Sequence, residues 1–348
     1  MTDAIFAIPG DIDLPTGGYT YDRRVLALLP TAGVKVQHLE LPRSFPAPSE
    51  IDLAETGRRL ATAPAKAVLL IDGLAYGAMP ADVIRRAEVP IVALVHHPLC
   101  LEAGLTWARQ RELKVLEQDA LALAAHVVVT SATTAQTLIA DFAVPASKIT
   151  IAVPGTDAAS RAKGTGKPLQ LLAVGSIVPR KAFDVLVHAL APFFELDWRL
   201  SIVGATDRSA VALVTLEETI EQTGLEDRIT LVGPANQRQL DAHYDTADIF
   251  AMPSLYEGYG MVLAEAMARG LPIVCTTGGA AASTVPDAAG IKVPPGDIEA
   301  FSGAMGRIMS DPQLRRDMAE ASWTAGQALP RWEATAKQIA EVLRRAAA

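Results

Sequence analysis

Short runs of apolar, often β-branched residues recur along this chain, each followed by a longer stretch in which apolar positions fall three and four residues apart. A run without polar alternation is the mark of a strand buried on both faces, and spacings of three and four make the stripe of a helix packed on one side. Residues 5–8, 34–39, 68–71, 91–95, 127–129 and 149–153 read as strands with helices between them. Residues 154–168, rich in Gly and small polar side chains, break the rhythm and read as a linker. The alternation restarts with strands at 169–174, 200–203, 229–232, 249–252, 273–274 and 291–293. The pattern predicts an α/β protein with two Rossmann-like, doubly wound domains, residues 1–160 and 161–330, whose ligand sites face a central cleft from the carboxyl ends of the strands. After Pro330, helical spacing at Trp332, Ala336, Ile339 and Val342 predicts a closing helix within 331–348, expected to pack back on the N-terminal domain.

Composition sharpens this picture without changing it. A length of 348 residues accommodates two such cores. Half the residues are hydrophobic, 20% are charged and 5% are aromatic, a balance that excludes a disordered or fibrous chain. The formal net charge of −8 is the wrong sign for neutralising nucleic-acid phosphates, so no nucleic-acid partner is expected. Cys100 and Cys275 form no CxxC, which argues against a disulfide framework or zinc ribbon and fits a reduced, cytoplasmic protein. The N-terminus has no basic-then-apolar signal pattern. Residues 120–140 lack charged side chains but include Ser131, His126, Gln136 and four threonines, and read as protein core rather than a membrane span. Trp107, Arg109, Arg111 and Lys114 share one predicted helix, a composition that suits a solvated face or a peripheral contact with the inner face of the cell membrane.

Candidate chemistry begins with what is missing. No GxGxxG follows the first strand, and GxxxxGK[ST], GxSxG and HExxH are absent, so dinucleotide, ATPase, hydrolase and zinc-protease readings lose support. Asp11-Ile12-Asp13 matches a DxD pattern, but so does any acidic pair one residue apart; it reads as two solvated loop carboxylates, and no metal is assigned. The most informative stretch is residues 253–272, immediately after a predicted strand. Gly258 and Gly260 let the backbone approach a ligand, and a helix starting near residue 260 turns its unpaired N–H groups and positive dipole end towards it, an anion cradle. Glu257 and Glu265, eight positions apart, can bracket a diphosphate, one holding sugar hydroxyls and the other a ribose diol; a loop glutamate and a solvated helix glutamate are equally consistent with the spacing. In the N-terminal half, Gly17-Gly18 after the first strand and His96 at the end of the strand 91–95 occupy carboxyl ends where α/β sites form.

The stretch 253–272 resembles the EGxG...E segment, the E-x7-E motif, of retaining glycosyltransferases with the two-domain GT-B architecture, glycosyltransferase family 4 (glycosyl transferases group 1) in particular. Residues 174–184, VGSIVPRKAFD, resemble the strand-loop-helix element that opens that family's donor domain. The resemblance implies a nucleotide-diphosphate sugar bound mainly by the C-terminal domain and a saccharide or lipid-linked acceptor bound mainly by the N-terminal one, with no metal or other cofactor. It implies that Glu257, Gly258, Tyr259, Gly260 and Met261 hold the donor sugar, that the Val262 and Leu263 amides with Lys181 and Arg180 hold the diphosphate, and that Glu265 takes the ribose. Gly175 and Ser176 would line the same loop, Gly17 and Gly18 would face the donor phosphates, and His96 would hydrogen-bond the transferred sugar. Ser176 stands where many members have Arg, and Ala182 where they have Gly. A sugar-nucleotide epimerase of the same fold and a non-catalytic nucleotide-sugar-binding subunit are the alternatives.

Overall fold

The computed structural model describes residues 2–348. The chain forms two compact units, one running to Gly155 and resumed by Pro330–Ala348, the other spanning Thr156–Leu329. The boundary lies ahead of residue 160, and the stretch after it is no free linker. The Ala162 amide donates to the Arg269 carbonyl (2.8 Å) and the Lys163 amide to the Asp245 carbonyl (2.9 Å). The carboxylate of Asp248 gathers the backbone N–H groups of Thr165, Gly166 and Gln170 at 3.2, 3.1 and 2.8 Å. A charged acceptor satisfying three amides holds a glycine-rich segment in place.

In the first unit β1 (Thr2–Pro9), β2 (Val34–Leu41), β3 (Ala67–Asp72), β4 (Ile91–Val95), β5 (His126–Val129) and β6 (Ile149–Ile151) form one parallel sheet in the order β2-β1-β3-β4-β5-β6. The β3 and β4 runs AVLLID and IVALV are buried at every position, as strands covered on both faces must be. β2 is an edge strand and correspondingly alternates with charged and polar residues. The helix Trp332–Ala346 belongs to this unit: Trp332 meets the ring of Tyr21 edge-on at 5.7 Å, and the Thr335 hydroxyl donates to the Val153 carbonyl at 2.7 Å.

The second unit repeats the plan with β7 (Leu169–Val174), β8 (Trp198–Val203), β9 (Ile229–Gly233), β10 (Ile249–Met252), β11 (Ile273–Thr276) and β12 (Gly290–Val293), all parallel, in the order β12-β11-β10-β7-β8-β9. Trp198, Leu186, Phe301 and Met305 anchor its core.

Each sheet has one place where the strand order reverses: between β1 and β3 in the first unit, between β7 and β10 in the second. Successive crossovers leave such a point in opposite directions, so the loops at its carboxyl end diverge and open a crevice.

Candidate active site

The reversal in the second unit carries a buried charge cluster. The Lys181 ammonium lies 2.6 Å from Glu257 Oε1, and an Arg180 guanidinium nitrogen lies 3.5 Å from Oε2. Lys181 follows β7 and Glu257 follows β10, so these neighbouring strands supply the two halves of the cluster. Arg180 also donates to the Tyr256 carbonyl at 2.6 Å, while the Leu255 amide donates to the Arg180 carbonyl at 2.8 Å, stitching the two loops together. Burial alone would raise the Glu257 carboxyl, but Lys181 and then Arg180 outweigh it and bring it down to about 2. Lys181 and Glu257, assigned by their motifs to phosphate and to sugar, are thus also partners of one another.

Glycines permit this closeness. At Gly175 an added Cβ would come within 2.9 Å of the Lys181 side chain, and at Gly279 (φ +63°) it would come within 3.0 Å of the Glu257 amide. Ala182, at the position where the family favours Gly, takes the left-handed conformation that explains that preference (φ +48°, ψ 43°). Ser176 is half-buried beside Gly175.

The helix Met261–Ala268 begins at Gly260, itself left-handed (φ +87°), and no side chain caps it. Its Met261 and Val262 amides have no hydrogen-bond partner among the described residues, whereas the Leu263 amide already donates to the Gly260 carbonyl at 2.9 Å and its side chain is fully buried. The amides left unpartnered at this helix start are thus those of Met261 and Val262, while that of Leu263 is engaged within the turn. Since the helix starts only at Met261, about half of the Glu257–Glu265 interval is loop. Glu265 is half-buried and accepts from the Tyr244 hydroxyl at 3.0 Å; burial raises its carboxyl above the usual carboxylate range, with Tyr244 and Arg269 opposing. Gly258 and Tyr259 line the approach, the Tyr259 carbonyl accepting from Thr284 at 2.7 Å.

The first unit carries a second cluster at its own reversal. His96 directly follows β4, and its Nε2 lies 3.3 Å from Asp22 Oδ1 and 3.3 Å from Asp72 Oδ2. Asp72 ends β3, where its other oxygen accepts from the Leu74 amide at 2.9 Å. Asp22 lies one turn into the helix Gly17–Leu28, fully buried, and its Oδ2 has no partner among the described residues. Burial alone would lower His96, but the two carboxylates overcome it and raise the imidazole to about 10; burial first and then Asp72 raise Asp22 to about 7. The two carboxylates and the imidazole bring one atom each within 4.8 Å of one another.

Gly17 and Gly18 are the first two residues of their helix, capped by Thr16, which accepts from the Tyr19 amide at 3.2 Å. Neither has a positive φ; a Cβ at Gly18 would touch the His96 ring at an ordinary 3.5 Å, while one at Gly17 would meet nothing within 4 Å. Asp11 and Asp13 are exposed, and the Asp11 carboxylate accepts from the Asp13 amide at 2.9 Å, a local turn. Asp22, Asp72 and Tyr244 went unnoticed in the sequence. Asp22 had left a signal, since it shares a buried helical stripe with Val25 and Leu29.

Two parallel Rossmann-like units, each with a charged cluster at its reversal, define the GT-B class of fold. The glycosyl transferase 4-like domain family matches residues 11–155, and the glycosyl transferases group 1 family matches residues 156–323. The chain belongs to the group 1, or family 4, glycosyltransferases. Among curated proteins it is 33% identical to a D-inositol 3-phosphate glycosyltransferase of Corynebacterium urealyticum over 211 residues, 58% of this chain and 50% of that protein. It is 26% identical to the MMP alpha-(1->4)-mannosyltransferase of Mycolicibacterium hassiacum, covering 76% of this chain and 67% of the other. The chain thus spans from about half to two thirds of the length of these relatives. Among solved structures, a sucrose-phosphate synthase from Thermosynechococcus elongatus shares the fold with a TM-score of 0.82 at 22% identity, over 98% of both chains. Anabaena HepE in complex with UDP-glucose does so with a TM-score of 0.78 at 18% identity, over 99% of this chain and 100% of that one.

Proposed function

We propose that the chain is a retaining glycosyltransferase that moves a sugar from a nucleotide-diphosphate donor to an acceptor hydroxyl without a metal ion. The observation that carries this reading is the Lys181–Glu257–Arg180 cluster beside an uncapped helix N-terminus at the β7/β10 reversal. Breaking a glycosyl–phosphate bond loads negative charge onto the departing diphosphate. Lys181, Arg180 and the Met261 and Val262 amides are donors suited to that charge, and they favour the transition state over the ground state. Glu257, held ionised, accepts hydrogen bonds from sugar hydroxyls, Glu265 takes the ribose diol with Tyr244 behind it, and His96 contacts the transferred sugar. Acceptor attack comes from the face the diphosphate leaves, and a donor phosphate oxygen takes the acceptor proton.

The acceptor we infer is a saccharide or a lipid-linked one; among relatives, the name D-inositol 3-phosphate glycosyltransferase adds inositol phosphates to the acceptors to try, and HepE's complex makes UDP-glucose the donor to try first. Calorimetry with UDP, GDP, ADP and their sugar conjugates, with and without chelator, tests the reading. One nucleotide binding regardless of chelation supports it, a metal requirement overturns the metal-free mechanism, and binding to none overturns the donor site. Proton NMR of a donor incubated alone detects the epimerase alternative, and binding without turnover on any acceptor marks the non-catalytic one. A cytoplasmic location with peripheral membrane contact fits Trp107, 73% exposed with Arg111 stacked on it at 5.6 Å. Failure to cosediment with anionic vesicles at low salt would remove the membrane contact. No helix among the described residues is long and apolar enough to cross a membrane.

A further inference from the structure

The cluster in the first unit has a geometry that a merely structural ion pair does not need. Both carboxylates approach the same ring nitrogen of His96, from two elements that the β1/β3 reversal brings together. The other nitrogen, Nδ1, has no hydrogen-bond partner among the described residues, and the side chain retains 22% of its exposure. The backbone is fixed as well: the His96 carbonyl accepts from the Thr130 and Thr134 hydroxyls at 3.1 and 3.4 Å. Tyr21 stands edge-on to the ring at 5.2 Å and is anchored in turn by its hydroxyl on the Ala152 carbonyl (2.8 Å). The ring can neither swing nor flip without stranding two buried carboxylates.

We propose that Asp22 and Asp72 form a clamp on Nε2 of His96, so that the ring meets the substrate as a hydrogen-bond donor through Nδ1 and Asp22 serves the transfer reaction as a positioning residue. An acceptor on each side of Nε2 demands a proton there. A neutral ring so held would offer Nδ1 as an acceptor, whereas a charged ring offers a donor. The groups facing the ring decide between these: Asp22 and Tyr21 from the helix after β1, Asp72 from the end of β3, and on the following residue His97, 3.1 Å from Glu102. The two carboxylates at Nε2 favour the charged form of the ring over the neutral one. Asp22 costs the fold a fully buried carboxylate with one oxygen unpartnered, an arrangement that a packed apolar residue would avoid. The role assigned to His96 rests on the proposed transferase function, while the clamp itself is a property of the free protein.

The test is long-range proton–nitrogen NMR of the six histidines in the full chain, with His96 assigned by its loss in His96→Asn. The expected spectrum has both His96 nitrogens protonated from pH 6 to above pH 8, and UDP-glucose moves Nδ1 while leaving Nε2 in place. Asp22→Asn, equal in size and able to fold, should lower the His96 titration by about one pH unit or more, and should cut UDP-glucose turnover about 10-fold or more at pH 8 with recovery at lower pH. A ring that titrates near the ordinary 6.5 in the unmodified protein, or a neutral ring with its proton on Nδ1, overturns the clamp. So does an Asp22→Asn variant whose His96 spectrum matches the unmodified one. Absence of nucleotide-sugar binding by calorimetry would instead sink the transferase reading, and the free-protein spectrum would still decide the clamp.

Discussion

At Glu257 stability and chemistry share one side chain. Its Lys181 partner is 11% exposed, so Glu257→Ala removes one half of a buried ion pair and should cost about 3–5 kcal/mol. Glu257→Gln keeps the shape and is the better probe: donor turnover should fall about 100-fold while thermal unfolding shows the fold intact. Its folded carboxyl ionises near 2 against an ordinary 4.5, so the pair's contribution is complete above pH 4.5 and is lost as pH falls towards 2. Glu117 works the other way. Buried in the first unit, accepting from the Leu99 amide at 2.9 Å with its Oε1 unpartnered, it is raised to about 8 by burial. Between pH 4.5 and 8 the folded state therefore holds more protons than the unfolded one, and stability falls as pH rises. Denaturant melts of Glu117→Gln should show the variant gaining on the unmodified protein from pH 5 to pH 9. Gly279→Ala should cost more than about 1 kcal/mol and weaken donor binding, because its methyl would press on the Glu257 backbone at a positive φ.

The elements explain which parts of the protein could be read in advance. All twelve strands were legible, the central ones because parallel strands under helices are continuous apolar runs, and β4, β7 and β10 match their expected bounds residue for residue. Glu257 with the helix after Gly260, and Lys181 with the loop after β7, were legible because each sits in a short contiguous motif of its own. The Asp22–Asp72–His96 cluster was not, since its members lie 50 and 24 positions apart and meet only through the sheet order. The pairing of Lys181 with Glu257 was missed for the same reason, being a contact across the β7/β10 neighbourhood. At this scale the helix Trp332–Ala346 makes its own prediction. Trp332 is 5% exposed, edge-on to Tyr21 and under Arg24 at 5.8 Å, so Trp332→Ala should cost about 3–5 kcal/mol in a chemical-denaturation series. Because Tyr21 also contacts His96, the same variant should disturb the His96 spectrum.

In the molecule as a whole, one unit is continuous in sequence and the other is not. Residues 156–329 contain a complete six-stranded sheet, its covering helices and the Lys181–Glu257 cluster. Expressed alone they should fold cooperatively and bind nucleotide, as circular dichroism and calorimetry would register; an unstructured product would mean that this unit depends on the rest of the chain. The first unit draws its last helix from beyond the second. During synthesis its six strands therefore leave the ribosome long before the helix that covers Tyr21, and the second unit can close first. A nascent chain halted anywhere before residue 330 would carry a finished donor-type unit joined to an unsealed partner, exposing the Tyr21 face to chaperones and proteases. Residues 330–348 thus settle when the first unit can finish folding, because its core stays open until they have been made.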